Sequence, residues 1–394
     1  MYLSKEEEKM LEGELGPTVS KCMELLVALG KIYNADKLVP VASTHISGVS
    51  YKTIGDAGVE LLEDLVEGVE GEKPAIKVLS TLNPSGMDLE NWGKLGVPER
   101  FAQQQKRILE AYIRLGAIPT CSCTPYLCGN LPRYGQVLAW AESSAVIFAN
   151  SVLGARTNRE GGPAALAAAI CGRTPRYGFL LGENRVPTAK VVVLDQPSGS
   201  YEYSLLGAVI GSELGGEVPL ITGLSSPSLE ELRSLGASMA AIGANTLYHV
   251  EGVTPEASTV SRDRIGDVLE VGRGDWLKKS EEMSSINFEE AEIICVGCPH
   301  LSLEEVRTLA RCGKVFGKEF WACTSRHVRL EAERSGLLVQ LEKKGVQLVC
   351  DTCMVVSPLG EAGYTGVATN SAKAARYLPT LSGSRVVLDS LGIP

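Results

Sequence analysis

Hydrophobic residues along the chain follow two repeating patterns, one typical of amphipathic helices and one typical of buried strands. The helical pattern predicts an N-terminal helix from Ser4 and helices over about 18–33, 56–67 and 98–116. Short apolar and β-branched runs predict strands at 37–42, 76–82, 190–195, 218–223, 239–244, 292–297 and 346–351. Because strands alternate with helices, the pattern predicts an α/β fold with mainly parallel sheets flanked by helices.

The length of the chain and one internal similarity predict tandem α/β lobes. A chain of 394 residues is too long for one simple core, and we place lobes at 1–135, 136–285 and 286–394. The run S-L-E-E-L-R-S-L at 228–235 matches S-L-E-E-V-R-T-L at 302–309, which favours a repeat with a period near 74 residues. The alternative is that two helix starts share a Ser-x-x-Glu cap and nothing more.

Composition excludes several classes of protein. The net charge of −9 argues against broad nucleic-acid binding, which needs a basic face. No run approaches the ~20 apolar residues that span a bilayer. The acidic start M-Y-L-S-K-E-E-E-K-M lacks the features of a signal peptide, so we expect a cytoplasmic protein without a membrane partner.

Cysteines are the first candidates for chemistry. Eleven are present, and without an export signal they argue against a disulfide framework. Three short segments, at 120–126, 296–300 and 351–355, place thiols where an apolar run ends and a turn begins. Thiolates from separate loops can share an iron–sulfur cluster or a metal. Two other interpretations stay open: a four-thiolate zinc site from the C-x-x-C pairs at 295–298 and 350–353, and buried free thiols.

Three further segments carry concentrated polar groups. The run at 141–163 combines two arginines, asparagines and a Gly-Gly pair, which suits a carboxylate or phosphate; a solvated loop is the alternative. The segment at 43–52 is predicted to be a loop that forms a wall of the site. The run at 247–256 adds a second histidine segment, and His300 follows the second cysteine segment. No motif for dinucleotide or nucleoside triphosphate binding is present.

Taken together, these segments resemble the aconitase X family. The resemblance rests on T-H-I-S-G-V-S-Y-K-T-I-G-D-A-G, T-L-N-P-S-G-M-D, C-T-P-Y-L, A-N-S-V-L-G-A-R-T-N-R-E-G-G-P, H-V-E-G-V-T-P-E-A, V-G-C-P-H and D-T-C-M-V-V, and it extends over about residues 1–380. It implies an aconitase-like fold of tandem α/β lobes that lacks the swivelling small domain. A separate small subunit with that domain is then the expected partner, in a heterodimer or a larger assembly.

The resemblance also implies a cofactor. The family's cluster ligands correspond to Cys123, Cys298 and Cys353. Three cysteines leave one iron without a protein ligand, and archaeal members are expected to hold a [4Fe–4S] cluster. Other members hold a smaller cluster or a single iron, and these alternatives stay open at this point.

The activity implied is that of a hydro-lyase with a small anionic substrate, (R)-5-phosphomevalonate, in the archaeal mevalonate route to isoprenoids. The general base is expected on the small subunit, with three candidates within this chain: Ser50, Glu142 and His249. Eight residues are expected to bind substrate, with the arginines at its anionic ends: His45, Gly48, Asn83, Ser143, Asn150, Arg156, Asn158 and Arg159. The alternatives are dehydration of cis-3-hydroxy-L-proline, the other activity of the family, and a non-catalytic iron–sulfur or zinc-binding scaffold.

Overall fold

The fold is described from a computed structural model that covers residues 1–69, 74–314 and 316–393. Strands are numbered in chain order: β1 Leu38–Pro40, β2 Ser43–Ile46, β3 Leu79–Leu82, β4 Leu138–Trp140, β5 Arg173–Pro175, β6 Ala189–Val193, β7 Pro219–Thr222, β8 His249–Val250, β9 Asp267–Val271, β10 Ile293–Leu301, β11 Glu319–Thr324, β12 Val346–Cys350, β13 Gly366–Thr369 and β14 Arg385–Leu388.

The helices in the same ranges are α1 Lys5–Leu11, α2 Pro17–Ile32, α3 Tyr51–Glu67, α4 Glu99–Leu115, α5 Ser143–Ser151, α6 Gly162–Cys171, α7 Gly199–Glu213, α8 Leu229–Ile242, α9 Arg273–Glu282, α10 Leu303–Arg311, α11 Arg326–Arg334, α12 Leu337–Glu342 and α13 Ala372–Ser382. Short 3-10 turns occur at Pro125–Leu127, Gly178–Leu180, Gly182–Asn184 and Phe288–Glu290. The architecture is therefore mixed α/β, as the pattern predicts.

The described elements form three units along the chain: β1–β5 with α1–α6, β6–β9 with α7–α9, and β10–β14 with α10–α13. The first unit contains a parallel three-stranded sheet in the order β3-β2-β4. Its central strand, β2, begins the segment that the pattern predicted to be a loop at 43–52. All four residues of β2 are buried, polar ones included, so the hydrophobic pattern does not reveal the strand. The sheet also takes β4, and β5 pairs with β1. Strands β4 and β5 thus pair with strands from the start of the chain, and the lobe boundaries at 135/136 and 285/286 stay predictions.

Two further parallel sheets have the same strand order, which bears out the tandem architecture. When the strands of the second sheet are numbered by their order along the chain, their spatial order in the sheet is 3-2-1-4, which corresponds to β8-β7-β6-β9. The third sheet, β12-β11-β10-β13-β14, repeats this arrangement and adds a fifth strand. Both are doubly wound sheets of the kind that βαβ units produce.

The internal similarity that suggested the repeat does not align equivalent helices. Helix α8, which carries the first copy, follows the second strand of its sheet, whereas α10 follows the first strand of its own. Each helix begins with a complete Ser-x-x-Glu capping box. The matching letters therefore reflect a shared way of starting a helix.

The strand predicted at 239–244 is wrong, because these residues end helix α8 and its following turn. Small apolar residues such as Met-Ala-Ala fit a buried helix as well as a buried strand, so the run alone does not decide between them. One hydrophobic cluster joins all three units, with Phe101 from the first, Trp276 from the second and Trp321 from the third. Among the described residues, no helix combines the length and the apolar character that a membrane span requires.

Candidate active site

A cavity of about 290 Å³ lies where the first and third sheets face each other. Its walls come from segments that follow the carboxyl ends of parallel strands: 47–50 after β2, 83–84 after β3 and 141–143 after β4. The third sheet contributes residues near the ends of β10, β12 and β13. Ligand sites in open α/β sheets form at this edge, because the loops there converge while the strands stay rigid.

Three cysteines from three different segments line this cavity. Cys123 lies beside the end of β3, Cys298 lies within β10, and Cys353 follows β12. Each is between 5% and 7% exposed. The fold thus brings Cys123 to the same cavity as two thiols that follow it by more than 170 residues in the sequence.

The thiols interact with one another and with nearby donors. A hydrogen bond between Cys298 and Cys353 lowers the pKa of the Cys353 thiol and raises that of Cys298. Burial raises the pKa of Cys123 to about 12, and the His300 backbone N–H donates to Cys123 Sγ over 3.2 Å.

Glycine at position 297 allows the strand carrying Cys298 to approach its neighbour closely. Gly297 has φ +94, and a Cβ there would lie 2.2 Å from the carbonyl oxygen of Cys323 in β11. A side chain at this position would push β10 away from β11 and displace Cys298.

A buried ion pair forms the polar wall of the cavity. Lys373 Nζ donates to Glu142 Oε1 and, over 3.0 Å, to Ser144 Oγ. Asn83 Nδ2 donates to the other carboxylate oxygen of Glu142 over 3.0 Å. Burial alone would raise the pKa of Glu142, but Lys373 and the hydrogen bonds hold it at about 2. The pKa of Lys373 is raised, mainly by Glu142, so both groups are charged at neutral pH.

Lys373 is a cavity residue that the sequence analysis missed. It lies in the first turn of α13, where a positive charge opposes the helix dipole. A lysine at this position, directly after a buried strand, is a signal that could have identified it. Its ammonium also interacts electrostatically with Cys298 and Cys123.

Side chains from the segment after β2 hold the third cysteine segment in place. Ser50 Oγ donates to the carbonyl of Val356 over 2.9 Å. Lys52 Nζ donates to the carbonyls of Val355 and Ser357 over 3.3 and 2.7 Å. The first unit is thus hydrogen-bonded to the backbone that follows Cys353.

A second tie between the units lies outside the cavity. Arg326, in the third unit, pairs with Asp88 and Glu90 of the first unit and with Asp351, two residues before Cys353. Asp88 also accepts the backbone N–H of Cys350 over 3.0 Å. The cysteine segment is therefore held from both ends.

Several predicted site residues do line the cavity. They are the three cysteines together with Gly48, Ser50, Asn83, Glu142, Ser143 and Arg159. Arg159 is exposed and donates to the carbonyl of Ala240 over 3.1 Å. The segments at 43–52 and 141–163 therefore both reach the cavity, as their polar residues indicated.

Arg156 and its two asparagine neighbours lie outside the cavity-lining set. Arg156 donates to the carbonyl of Leu180 over 3.2 Å. Asn158 stabilises the turn that begins at Tyr177, because its Nδ2 donates to the Tyr177 carbonyl and its Oδ1 accepts from the Phe179 backbone N–H. Both ends of the Asn150 amide are also hydrogen-bonded within the protein: Nδ2 donates to two backbone carbonyls, and Oδ1 accepts from a backbone N–H and from Arg185. These polar groups support the backbone, which a sequence pattern cannot distinguish from substrate binding.

The two predicted histidines are also buried away from the cavity surface. His249 lies on β8, and its Nε2 is 2.8 Å from the carbonyl of Arg185. His45 lies on β2 beside Thr81, with Nδ1 at 2.9 Å from Oγ1. Burial lowers the pKa of His45 to about 4 and lowers that of His249, so neither ring carries a charge at neutral pH.

The cavity thiols fit the donor set of an iron–sulfur cluster. All three thiols have limited solvent access, and backbone N–H groups donate to Cys123 and Cys353; both features are found around the thiolate ligands of such clusters. Within the described ranges, no group of three or more Cys, His, Asp or Glu side chains is arranged around a single-ion position. In a cluster each thiolate binds a different iron, so the sulfur atoms need not converge on one point.

Comparison with family models gives three adjacent matches. Residues 1–183 match the aconitase X first domain, residues 187–278 the second and residues 291–392 the third. Together these matches cover most of the chain.

Curated relatives match over nearly the whole chain. The phosphomevalonate dehydratase large subunit of Methanothermobacter thermautotrophicus is 50% identical, over 99% of this chain and 96% of its own length. The subunit of that name from Thermococcus kodakarensis is 44% identical, over 99% and 98%. The cis-3-hydroxy-L-proline dehydratase of Pseudomonas aeruginosa is 33% identical, over 96% of this chain and 67% of its own length.

A solved structure matches the fold. The crystal structure of Thermococcus kodakaraensis aconitase X in its holo-form superimposes with a TM-score of 0.92 and 43% sequence identity. The match covers 99% of this chain and 98% of that chain.

Proposed function

The chain belongs to the aconitase X family, and from this premise we propose that it is the catalytic large subunit of a hydro-lyase that dehydrates (R)-5-phosphomevalonate. The product is trans-anhydromevalonate 5-phosphate. The observation that carries the proposal is the 50% identity, over 99% of the chain, to a large subunit named for this dehydration. The cavity supports it, because three buried thiols, an ammonium and a guanidinium line one space.

We propose that Cys123, Cys298 and Cys353 hold an iron–sulfur cluster of the [4Fe–4S] type. When bound, the cluster would supply a Lewis-acidic iron that helps the C3 hydroxyl to depart. The dehydration removes one proton from C2 and the hydroxyl from C3, and these leave as water. Side chains of the protein would bind the substrate and remove the proton from C2.

Two cationic groups suit the two anionic ends of the substrate. Lys373 lies next to the thiols and would take the carboxylate, whose position must be fixed close to the reacting carbons. Arg159 is exposed at the cavity and would take the phosphate through its planar guanidinium. Asn83, Ser143 and the backbone at Gly48 line the same cavity and would orient the substrate between them.

The general base is proposed to come from a small partner subunit. Among the described residues that line the cavity, Glu142 is the only carboxylate and no histidine is present. Glu142 is neutralised by Lys373 and is therefore a weak base. Ser50 already donates its proton to the Val356 carbonyl. The relatives that are named large subunits imply such a partner.

The test is an anaerobic assay of the chain co-expressed with its presumed small subunit. After reconstitution with iron and sulfide, phosphorus NMR should show (R)-5-phosphomevalonate converting to a new phosphorylated alkene. The matched control is the chain alone, which should hold the cluster without turnover. If the assembled protein with an intact cluster leaves this substrate unchanged, cis-3-hydroxy-L-proline becomes the leading substrate. If neither is converted, the non-catalytic scaffold is favoured.

A further inference from the structure

His300 contacts all three of the cysteine segments that meet at the cavity, although its own side chain does not line it. It lies two residues after Cys298, and its side chain is fully buried. Its backbone N–H donates to Cys123 Sγ over 3.2 Å. Its ring atoms Nδ1 and Nε2 lie 3.1 Å from Ser122 Oγ and 2.9 Å from the Thr352 carbonyl oxygen. Ser122 and Thr352 are the residues directly before the other two cysteines.

The partners define which ring nitrogen carries the proton. A carbonyl oxygen only accepts, so Nε2 must donate to Thr352. In the neutral ring, Nδ1 is then an acceptor, and Ser122 must donate to it. Ser122 Oγ can still accept from the Thr124 hydroxyl, 3.0 Å away. Every polar atom of the ring therefore has a partner, and the ring is fixed in one orientation.

These contacts join segments that are distant in the sequence and belong to two different units. Ser122 belongs to the first unit, whereas His300 and Thr352 belong to the third. One ring therefore holds the segment before Cys123 and the segment before Cys353 at fixed separations from the strand that carries Cys298. Such contacts around ligands commonly set their orientation and the retention of the metal.

We propose that His300 is a positioning residue that locks the three cysteine segments together for cluster binding. This inference rests on the proposed function, because it assumes that Cys123, Cys298 and Cys353 hold the cluster. His300 acts through its neighbours and contacts no substrate. Without its ring, Ser122 and the Thr352 carbonyl lose their shared partner, and the two segments can move relative to β10.

Cluster retention tests the proposal directly. We would reconstitute the wild-type chain and the variants His300→Ala and His300→Gln, and follow iron and sulfide content, the visible absorbance and its decay under an iron chelator. His300→Ala should lose the cluster on the order of 10- to 100-fold faster than wild type. His300→Gln keeps one donor and one acceptor, so it should restore much of the retention.

His249→Ala is the matched control, because His249 is equally buried and also contacts a backbone carbonyl, but lies away from the cysteines. It should destabilise the chain without faster cluster loss. Ser122→Ala removes the donor to Nδ1 and leaves the histidine intact, so it tests the contact if His300→Ala does not fold.

The outcomes separate the two proposals. If His300→Ala or Ser122→Ala retains the cluster as long as wild type, or if His249→Ala loses it as fast, His300 has no positioning role. If the wild-type chain takes up no cluster, or Cys298→Ser takes up as much as wild type, the cofactor assignment fails and the inference fails with it. Faster loss in His300→Ala, with rescue by glutamine, supports the inference.

Discussion

At the scale of single residues, the cavity combines charged groups that folded proteins seldom bury. The charges of Glu142 and Lys373 are both largely shielded from solvent and neutralise each other. Removing one member of such a pair leaves an uncompensated charge, which typically costs about 3–5 kcal/mol. The pair therefore ties the segment after β4 to helix α13, and both flank the cysteines.

The first prediction separates two arginines that the sequence treats alike. Arg159 lines the cavity, whereas Arg156 bonds to the Leu180 carbonyl elsewhere. Arg159→Met should lower kcat/KM for (R)-5-phosphomevalonate by about 10-fold or more, because a guanidinium–phosphate contact contributes roughly 1.5–3 kcal/mol. Arg156→Met should leave kcat/KM within about 2-fold of wild type. Steady-state kinetics of the assembled enzyme measure both, and the reverse order would place the anion site at Arg156.

The second prediction concerns acid stability. The folded-state pKa of Glu142 is about 2, below its ordinary value of 4.5, so its contribution to stability is present above pH 4.5 and is lost as the pH falls towards 2. The difference corresponds to about 3 kcal/mol. We expect the free energy of unfolding of the cluster-free chain, measured with urea, to fall more steeply between pH 5.5 and pH 2.5 for wild type than for Glu142→Gln. Parallel profiles would mean that Glu142 does not titrate as the pair requires.

At the scale of elements, the loops that form the cavity are placed by short parallel strands and well-capped helices. Helices α8 and α10 both begin with a Ser-x-x-Glu box, but only in the α10 box does the serine hydroxyl also bond to another helix. Ser302 Oγ donates to Glu230 over 2.9 Å, so the N-terminus of α10 is hydrogen-bonded to the N-terminus of α8. The Ser228 hydroxyl is exposed and serves its own helix.

The third prediction compares these two caps. Ser228→Ala should lower the free energy of unfolding by about 1 kcal/mol, the usual effect of losing an N-cap. Ser302→Ala also loses the bond to Glu230 and should lower it by about 2 kcal/mol or more. Urea denaturation measures both variants. Equal losses would show that the contact between the two helices contributes no stability.

At the scale of the whole molecule, one hydrophobic cluster spans the three units, in addition to clusters within the first and the third unit. That cluster includes Phe101, Trp276 and Trp321, one from each unit. Arg326, Ser50 and Lys52 add polar ties between the first and third units. Units with separate cores often unfold independently, but a shared core couples them.

The fourth prediction follows from this coupling. Native-state hydrogen exchange in increasing denaturant should give the same opening free energy, within about 1 kcal/mol, for the most protected amides of β2, β6 and β10. If the second sheet, with β6, opens several kcal/mol below the other two, the units are independent. Coincident values would mean that a weakened contact in any unit also weakens the cavity.

The hydrophobic pattern and the motifs were enough to predict the α/β class, the tandem lobes and the segments that line the cavity. The three cysteine segments could be found because a thiol at the end of an apolar run is a local signal, whereas the choice of Cys123, Cys298 and Cys353 as ligands came from the family's long motifs and stays a prediction. Helix ends were also readable, as at Pro98 and Gly116, because capping and backbone preferences act within a few residues.

Which polar residues face the cavity and which support the backbone depends on how distant segments pack together. Arg156 and Arg159 have the same chemistry and lie three residues apart, and their different partners come from segments distant in the sequence. Lys373 and His300 acquire their roles in the same way, through contacts that span more than 170 residues. A local sequence pattern gives the chemical type of a side chain, whereas the packing of sheets and loops determines which groups that side chain contacts.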